Sequence, residues 1–150
     1  MIRVQSATLD GASLAWAVAI AEGRSPILLP PTYGLPWRVA VVEAGRLIAW
    51  RPERDWNQGG PLLDQWCKGF GMVQDGTRQN FRVYAYDHEY YFQRVGGGLS
   101  ILVAACRARV LVVLGETVEV PPELAGECAE AQGRQAAPDS VRPAIVEGCL

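Results

Sequence analysis

A chain of 150 residues with 49% hydrophobic content, five Trp, five Tyr and three Phe is enough for one domain with a filled core. The formal charge of −2 provides no electrostatic footprint for DNA, RNA or an anionic membrane. No basic region followed by a long apolar stretch opens the chain, so no secretory signal is read there. The four cysteines, Cys67, Cys106, Cys128 and Cys149, are scattered without a C-x-x-C pair, which indicates neither a disulfide framework nor a zinc site. Reduced thiols in a cytoplasmic protein are the simplest expectation, with no membrane segment and no cofactor.

In chain order, Met1 to Gln5 alternates Ile2 and Val4 with Arg3 and Gln5 and suits a short strand. A first helix follows, with Asp10 as N-cap, Gly23 as C-terminal cap, and Leu14, Ala17, Val18 and Ala21 as its inward stripe. Pro26, Pro30, Pro31 and Pro36 then predict an ordered but irregular surface connection. Trp37 to Trp50 reads as a β-hairpin turning at Ala44-Gly45. Arg51 to Gly60 reads as a polar loop, with Pro61 opening a short helix that runs to about Gly69. Met72 to Asn80 is loop-like. Phe81 to Val95 is read as a second hairpin turning near Asp87-His88, with Phe81, Val83 and Ala85 on one face and Arg82, Tyr84 and Tyr86 on the other.

The stretch Gly97 to Gly115 organises the rest. Its apolar residues cover the whole circumference: Leu99, Leu102, Cys106, Val110 and Val113 on one side, Ile101, Ala104, Ala108, Leu111 and Val112 on the other. A helix of that kind is buried on all sides. Gly96 to Gly98 is read as its tight approach and Gly115 as its cap, with Arg107 and Arg109 on the flanks reaching outward along their aliphatic stems. Two central arginines in so short a run argue against a membrane span. Glu116 to Val120 is a short strand stopped by Pro121-Pro122, and residues 123–150 read as a mobile acidic tail. The expectation is a single α+β domain over residues 1–122, a small antiparallel sheet packed on the central helix and the N-terminal helix.

Four blocks of the chain carry a resemblance. Leu14-x-Trp16-Ala17-Val18-Ala19 closing on Glu22-Gly23, Trp56-x-Gln58-Gly59-Gly60-Pro61, Leu102-x-x-Ala105-x-Arg107-x-x-Val110 and Gly115-x-x-Val118-Glu119-Val120-Pro121, in that order, resemble the NinX-like family of small phage and prophage proteins. The resemblance spans about residues 9–124. It implies a phage or prophage origin and an accessory role, and it brings no activity, cofactor or catalytic residue to this chain. The chain departs from the family in having Gly96-Gly97-Gly98-Leu99-Ser100 before the long helix, where a proline is usual, and in its longer hairpin at Trp37 to Trp50.

Candidate chemistry is sparse. His88, the one histidine, lies between Asp87 and Glu89 at an expected turn, where adjacent side chains diverge and no third metal ligand converges. Asp55 and Asp64 flank the Gly-Gly-Pro corner and suit helix caps better than an acid pair. The best candidate ligand site is Trp56, Gln58, Gly59, Gly60 and Pro61 with Arg107: free amides before a helix favour an anion, Trp56 offers a flat contact and Arg107 a charge. The competing reading gives the glycines to a tight corner and Arg107 to loop carbonyls; finding Arg107 buried against such carbonyls would remove it from a ligand site. Arg82, Tyr84 and Tyr86, with Tyr90 or Phe92, form a face on which bases could stack, but the acidic total charge disfavours nucleic acid. The leading expectation is a non-enzymatic phage or prophage accessory protein that binds a host or phage protein. The alternative is a small-anion or nucleotide-like ligand at the Trp56–Pro61 corner.

Overall fold

The computed structural model describes residues 1–75, 78–86 and 93–126. In chain order the elements are β1 (Ile2–Gln5), α1 (Gly11–Ala21), β2 (Ile27–Leu29), β3 (Arg38–Glu43), β4 (Arg46–Ala49), α2 (Trp56–Trp66), β5 (Cys67–Asp75), β6 (Arg78–Tyr86), β7 (Gln93–Gly98), α3 (Ile101–Val113) and β8 (Thr117–Val120). The strands form three small antiparallel sheets, β1-β8, β2-β3-β4 and β5-β6-β7, so the fold is α+β as expected.

Helix α1 is bounded by local chemistry. The Asp10 carboxylate accepts from the Gly11 amide, and the Ser13 hydroxyl reaches back to the Asp10 backbone, completing a capping box. At the other end Gly23 sits at φ +69°, its N–H donating to Ile20 and that of Arg24 to Ala19, the paired bonds of a Schellman cap. Leu14, Ala17, Val18 and Ala19 are fully buried. The β3-β4 hairpin turns at Ala44-Gly45, both at positive φ, a turn whose twist matches the flanking strands.

Helix α3 is the hub. Every residue from Ala104 to Leu111 is buried, as its all-round apolar pattern demands. Ser100 caps its start by accepting from the Val103 amide. One side joins α1, Trp50 and β8 through Cys106 and Val110; the other joins Val83 and Ala85 of β6 through Ala104, Ala105 and Ala108. The β1-β8 pair sets Ile2 opposite Val120 and Val4 opposite Val118, closing the first cluster. Beyond it Leu124 is fully buried, so the packed chain continues through the Pro122–Leu124 turn.

Several expectations need correction. Gly96 to Gly98, read as the tight approach to α3, are the end of β7 and lie flat against the helix. A Cβ on Gly96 would stand 2.0 Å from the Ala104 carbonyl oxygen and 2.4 Å from the Ala108 nitrogen, so only glycine lets strand and helix meet here. Leu99 and Val113 are 73% and 43% exposed, because α3 begins at Ile101 and ends before the seam would close. Met72 to Asn80, read as loop, belongs largely to the β5-β6 ladder, where Met72 pairs with Phe81 and Val73 with Asn80. The proline-rich connection contains β2, which pairs with β3. The second hairpin pairs Tyr86 with Gln93. Its expected turn at Asp87-His88 lies outside the described residues, as does the expected mobile tail beyond residue 126. No helix among the described residues is long and apolar enough to cross a membrane.

Candidate functional site

Helix α2 starts at Trp56, not at Pro61. Asp55 is its N-cap: the carboxylate accepts from Asn57, and the Asp55 carbonyl accepts from the amides of Gln58 and Gly59. Pro61 therefore lies inside the helix, where it removes one N–H from the ladder. A Cβ on Gly59 would stand 2.1 Å from the Pro52 carbonyl oxygen and 2.9 Å from Leu102, whereas one on Gly60 would meet only Trp56, at 3.7 Å. The pair is thus asymmetric: Gly59 permits a close approach of backbone to backbone, and Gly60 does not need to be glycine for space.

The other members of this predicted corner are placed as follows. Trp56 is 57% exposed. Gln58 clamps α2 to the end of β4, its Oε1 accepting from the Arg51 amide at 2.6 Å and its Nε2 donating to the Ala49 carbonyl at 2.7 Å. Arg107 lies only 8% exposed and points into the protein. Its Nε donates to the Leu9 carbonyl at 2.7 Å and its Nη1 to the Gly97 carbonyl at 2.8 Å. Burial pulls the guanidinium below its ordinary pKa, opposed by the nearby Asp10 carboxylate. Arg107 is therefore a strut between the loop before α1 and the end of β7, which is the condition that removes it from a ligand site. Arg109 is equally buried rather than outward-reaching: its Nε donates to Glu22 Oε1 at 2.7 Å, and its guanidinium lies 3.7 Å from the Trp66 ring centroid. Both arginines turn inward because their partners, carbonyls and a carboxylate from distant segments, converge there.

Asp55 and Asp64 lie nine positions apart at the start and near the end of α2, about 13 Å along its axis, too far to act as a pair. Of the aromatic face, Tyr84 is 37% exposed and Arg82 and Tyr86 are half-buried beside it on β6. His88, Tyr90 and Phe92 lie outside the described residues.

Two features were not singled out from the sequence. The first is the free edge of β5. Among the described residues its partner is β6 alone, and every residue from Phe70 to Gln74 is exposed whichever face it occupies. Phe70, Met72 and Val73 are 63%, 57% and 46% exposed. The second is a cleft of about 490 Å3 between the start of α1, the segment from Leu35 to Val39 and residues 49–54. Glu53 is part of its lining and only 5% exposed; its Oε1 lies 3.4 Å from Arg54 Nε, while Oε2 has no hydrogen-bond partner among the described residues. Burial pushes the Glu53 carboxyl up to about 7, against the pull of its own backbone amide and of Arg54 and Arg51. Trp37 and Trp50 at the two ends of the hairpin hint at this cleft, since pairing of β3 with β4 brings Arg38 and Val39 beside Ala49 and Trp50.

The fold and these surfaces define a small α+β protein built around one buried helix, clasped by two internal arginines and open along one sheet edge. The chain belongs to the phage NinX family: the family model described as bacteriophage P22 NinX matches residues 5–112. No curated protein matches it.

Proposed function

We propose that the protein is a phage- or prophage-encoded accessory factor that works in the host cytoplasm as a non-enzymatic binding module. Its partner is another protein of host or phage, which adds an extended segment to the edge of β5. The observation that carries this reading is the state of that edge. Proteins normally blunt a free strand with charges, prolines, bulges or a covering loop, because its unpaired N–H and C=O groups template further pairing. β5 is nine residues long, its charges are confined to Lys68 and Asp75 near its ends, its one register shift lies at its start between Cys67 and Gly69, and its middle exposes Phe70, Met72 and Val73. A partner strand would gain main-chain bonds from the edge and side-chain specificity from these apolar positions. The engagement of Arg107, Gln58 and the Gly59 amide within the fold favours this reading over a small ligand at the Trp56–Pro61 corner. The net charge of −2 favours a protein over a nucleic acid.

The test is a photo-crosslinking amino acid placed at Met72, or at the equally exposed Leu47 of β4 as control, in cells carrying the parent phage. A defined protein adduct is expected from position 72 and not from position 47, and its formation by the purified adduct partner should fall when Phe70 is changed to Lys. Equal labelling at both positions, or adducts with nucleic acid alone, would overturn the reading.

A further inference from the structure

The β5-β6-β7 sheet has two unlike faces. Its register sets Phe70 beside Val83 and Met72 beside Phe81, so these residues share the face that packs on α3. The opposite face carries Gly69, Gly71 and Val73 of β5 and Arg82 and Tyr84 of β6. Arg82 is half-buried there, yet it forms no ion pair and no side-chain hydrogen bond among the described residues. A cation partly withdrawn from water gains by finding a counter-charge. Its cross-strand neighbours are both glycines, Gly71 on β5 and Gly97 on β7. The guanidinium lies over Gly97, where a Cβ would stand 2.2 Å from Nη1. A Cβ on Gly71 would meet nothing within 4 Å, so the way from Arg82 to the free edge of β5 is open. Nothing inside the chain asks for this glycine: its φ is not positive, no backbone closes on it as on Gly96, and it stands beyond the register shift between Cys67 and Gly69. Glycine inside a strand weakens it and marks a place where another group comes close. By sequence the three strands hold Lys68, Arg78, Arg82 and Arg94 against Asp75, which makes this sheet basic within a chain of net charge −2.

Resting on the proposed pairing of a partner segment with β5, we infer that this segment places an acidic residue opposite Gly71, flanked on each side by an apolar residue, and that Arg82 receives the acid. Strand alternation sets the pattern. Partner residues opposite Phe70 and Met72 point to the α3 side, where those side chains are 63% and 57% exposed and gain from apolar neighbours. The residue between them points to the other face and lies across Gly71. Adjacent strands are separated by about 4.8 Å, so the partner backbone runs about 10 Å from β6. A carboxylate reaching over Gly71 and a guanidinium swung back from Gly97 meet within that span as a charge-assisted pair. The swing breaks no bond, since Arg82 makes none among the described residues. A lysine in the same place would meet Arg82 as a like charge, so Arg82 also rejects the wrong segment.

The experiment selects peptides from a displayed random library on the immobilised full chain and on its Arg82→Glu, Arg82→Gln and Phe70→Lys/Met72→Lys variants. The parent should enrich an acid between two apolar residues. Arg82→Glu should keep the apolar flanks and exchange the acid for Lys or Arg, Arg82→Gln should keep the flanks without a charge preference, and Phe70→Lys/Met72→Lys should enrich neither. Fluorescence anisotropy with one selected peptide gives the size of the effect. Replacing its acid by lysine should weaken binding to the parent protein by about fivefold or more, and the same replacement should strengthen binding to Arg82→Glu. The first of these comparisons leaves the protein itself unaltered, so no folding defect enters it. Enrichment of alternating apolar residues without an acid, or an acid preference that persists on Arg82→Glu, overturns this inference and leaves the β5 reading standing. Enrichment of no alternating peptide, or equal enrichment on Phe70→Lys/Met72→Lys, overturns both. An oligothymidylate that binds as tightly as the peptide and is lost in Arg82→Glu assigns Arg82 to nucleic acid and overturns the inference as well.

Discussion

Replacing Glu53 by Gln keeps the shape of a buried side chain while removing its titration. The unfolded carboxyl ionises near 4.5 and the folded one near 7. Below pH 4.5 both states hold the proton and the group contributes nothing. Between these values the folded state binds more protons than the unfolded one, so stability falls as pH rises, and above 7 the loss is complete. A difference of two and a half units corresponds to about 3 kcal/mol. Glu53→Gln should therefore match the parent near pH 4.5 and exceed it by about 2–3 kcal/mol at pH 8, a large share of the stability of a small domain. Urea unfolding followed by tryptophan fluorescence at the two pH values measures this directly, and other titrating groups cancel in the comparison. A pH-independent difference, or a variant less stable than the parent at pH 8, would refute the placement of Glu53 as a buried, underpartnered acid.

Three further outcomes follow from the packing. Gly59→Ala should destabilise by about 2 kcal/mol or more through its clash with the Pro52 carbonyl, while Gly60→Ala should stabilise by about 0.5–1 kcal/mol, since the helix gains a better former and space is open; thermal melts of the two variants check this. Gly96→Ala should cost about 3 kcal/mol or more, because its Cβ meets helix backbone that cannot yield like a side-chain tip, and a melting temperature close to the parent's would refute the contact. Arg107→Met should lose about 2–4 kcal/mol in urea unfolding, leaving the Leu9 and Gly97 carbonyls without their guanidinium donor; a loss under about 0.5 kcal/mol would show that the strut is not needed.

What the sequence made legible was local. The all-round apolar pattern of α3, the Asp10 and Gly23 caps, the Ala44-Gly45 turn and the inward Val83 and Ala85 of β6 all rest on short-range rules of period and backbone conformation, and they agree with the structure. The family resemblance was legible from four spaced blocks. What was misread depends on partners far away in the chain. Gly96 reads as a tight entry to the helix, but that strand and helix backbones meet there shows only when Ala104 and Ala108 are seen against it. Arg107 stands open between an outward charge and a tie to loop carbonyls, and Leu9, 98 positions earlier, supplies the acceptor that decides it. Gly69 reads as the end of the short helix and Gln74 and Asp75 as loop, but the helix stops at Trp66 and the ladder with β6 overrides their weak strand preference. Gly59-Gly60-Pro61 looks like a helix start, yet α2 begins a turn and a half earlier because Asp55 caps it and Gly59 lets it close on Pro52. The cleft at Glu53 gave almost no sequence signal, since Arg51-Pro52-Glu53-Arg54 is polar whether it faces water or a cavity.

The functional reading turns on whether the edge of β5 is open, and residue-resolved amide hydrogen exchange of the isolated protein tests that most directly. An open edge predicts alternation: along Phe70 to Gln74, amides pointing to β6 exchange slowly and those pointing outward exchange fast, while the central strand β6 is protected on both sides from Phe81 to Ala85. Uniform protection along β5 would mean that the edge is already covered, and would contradict the account.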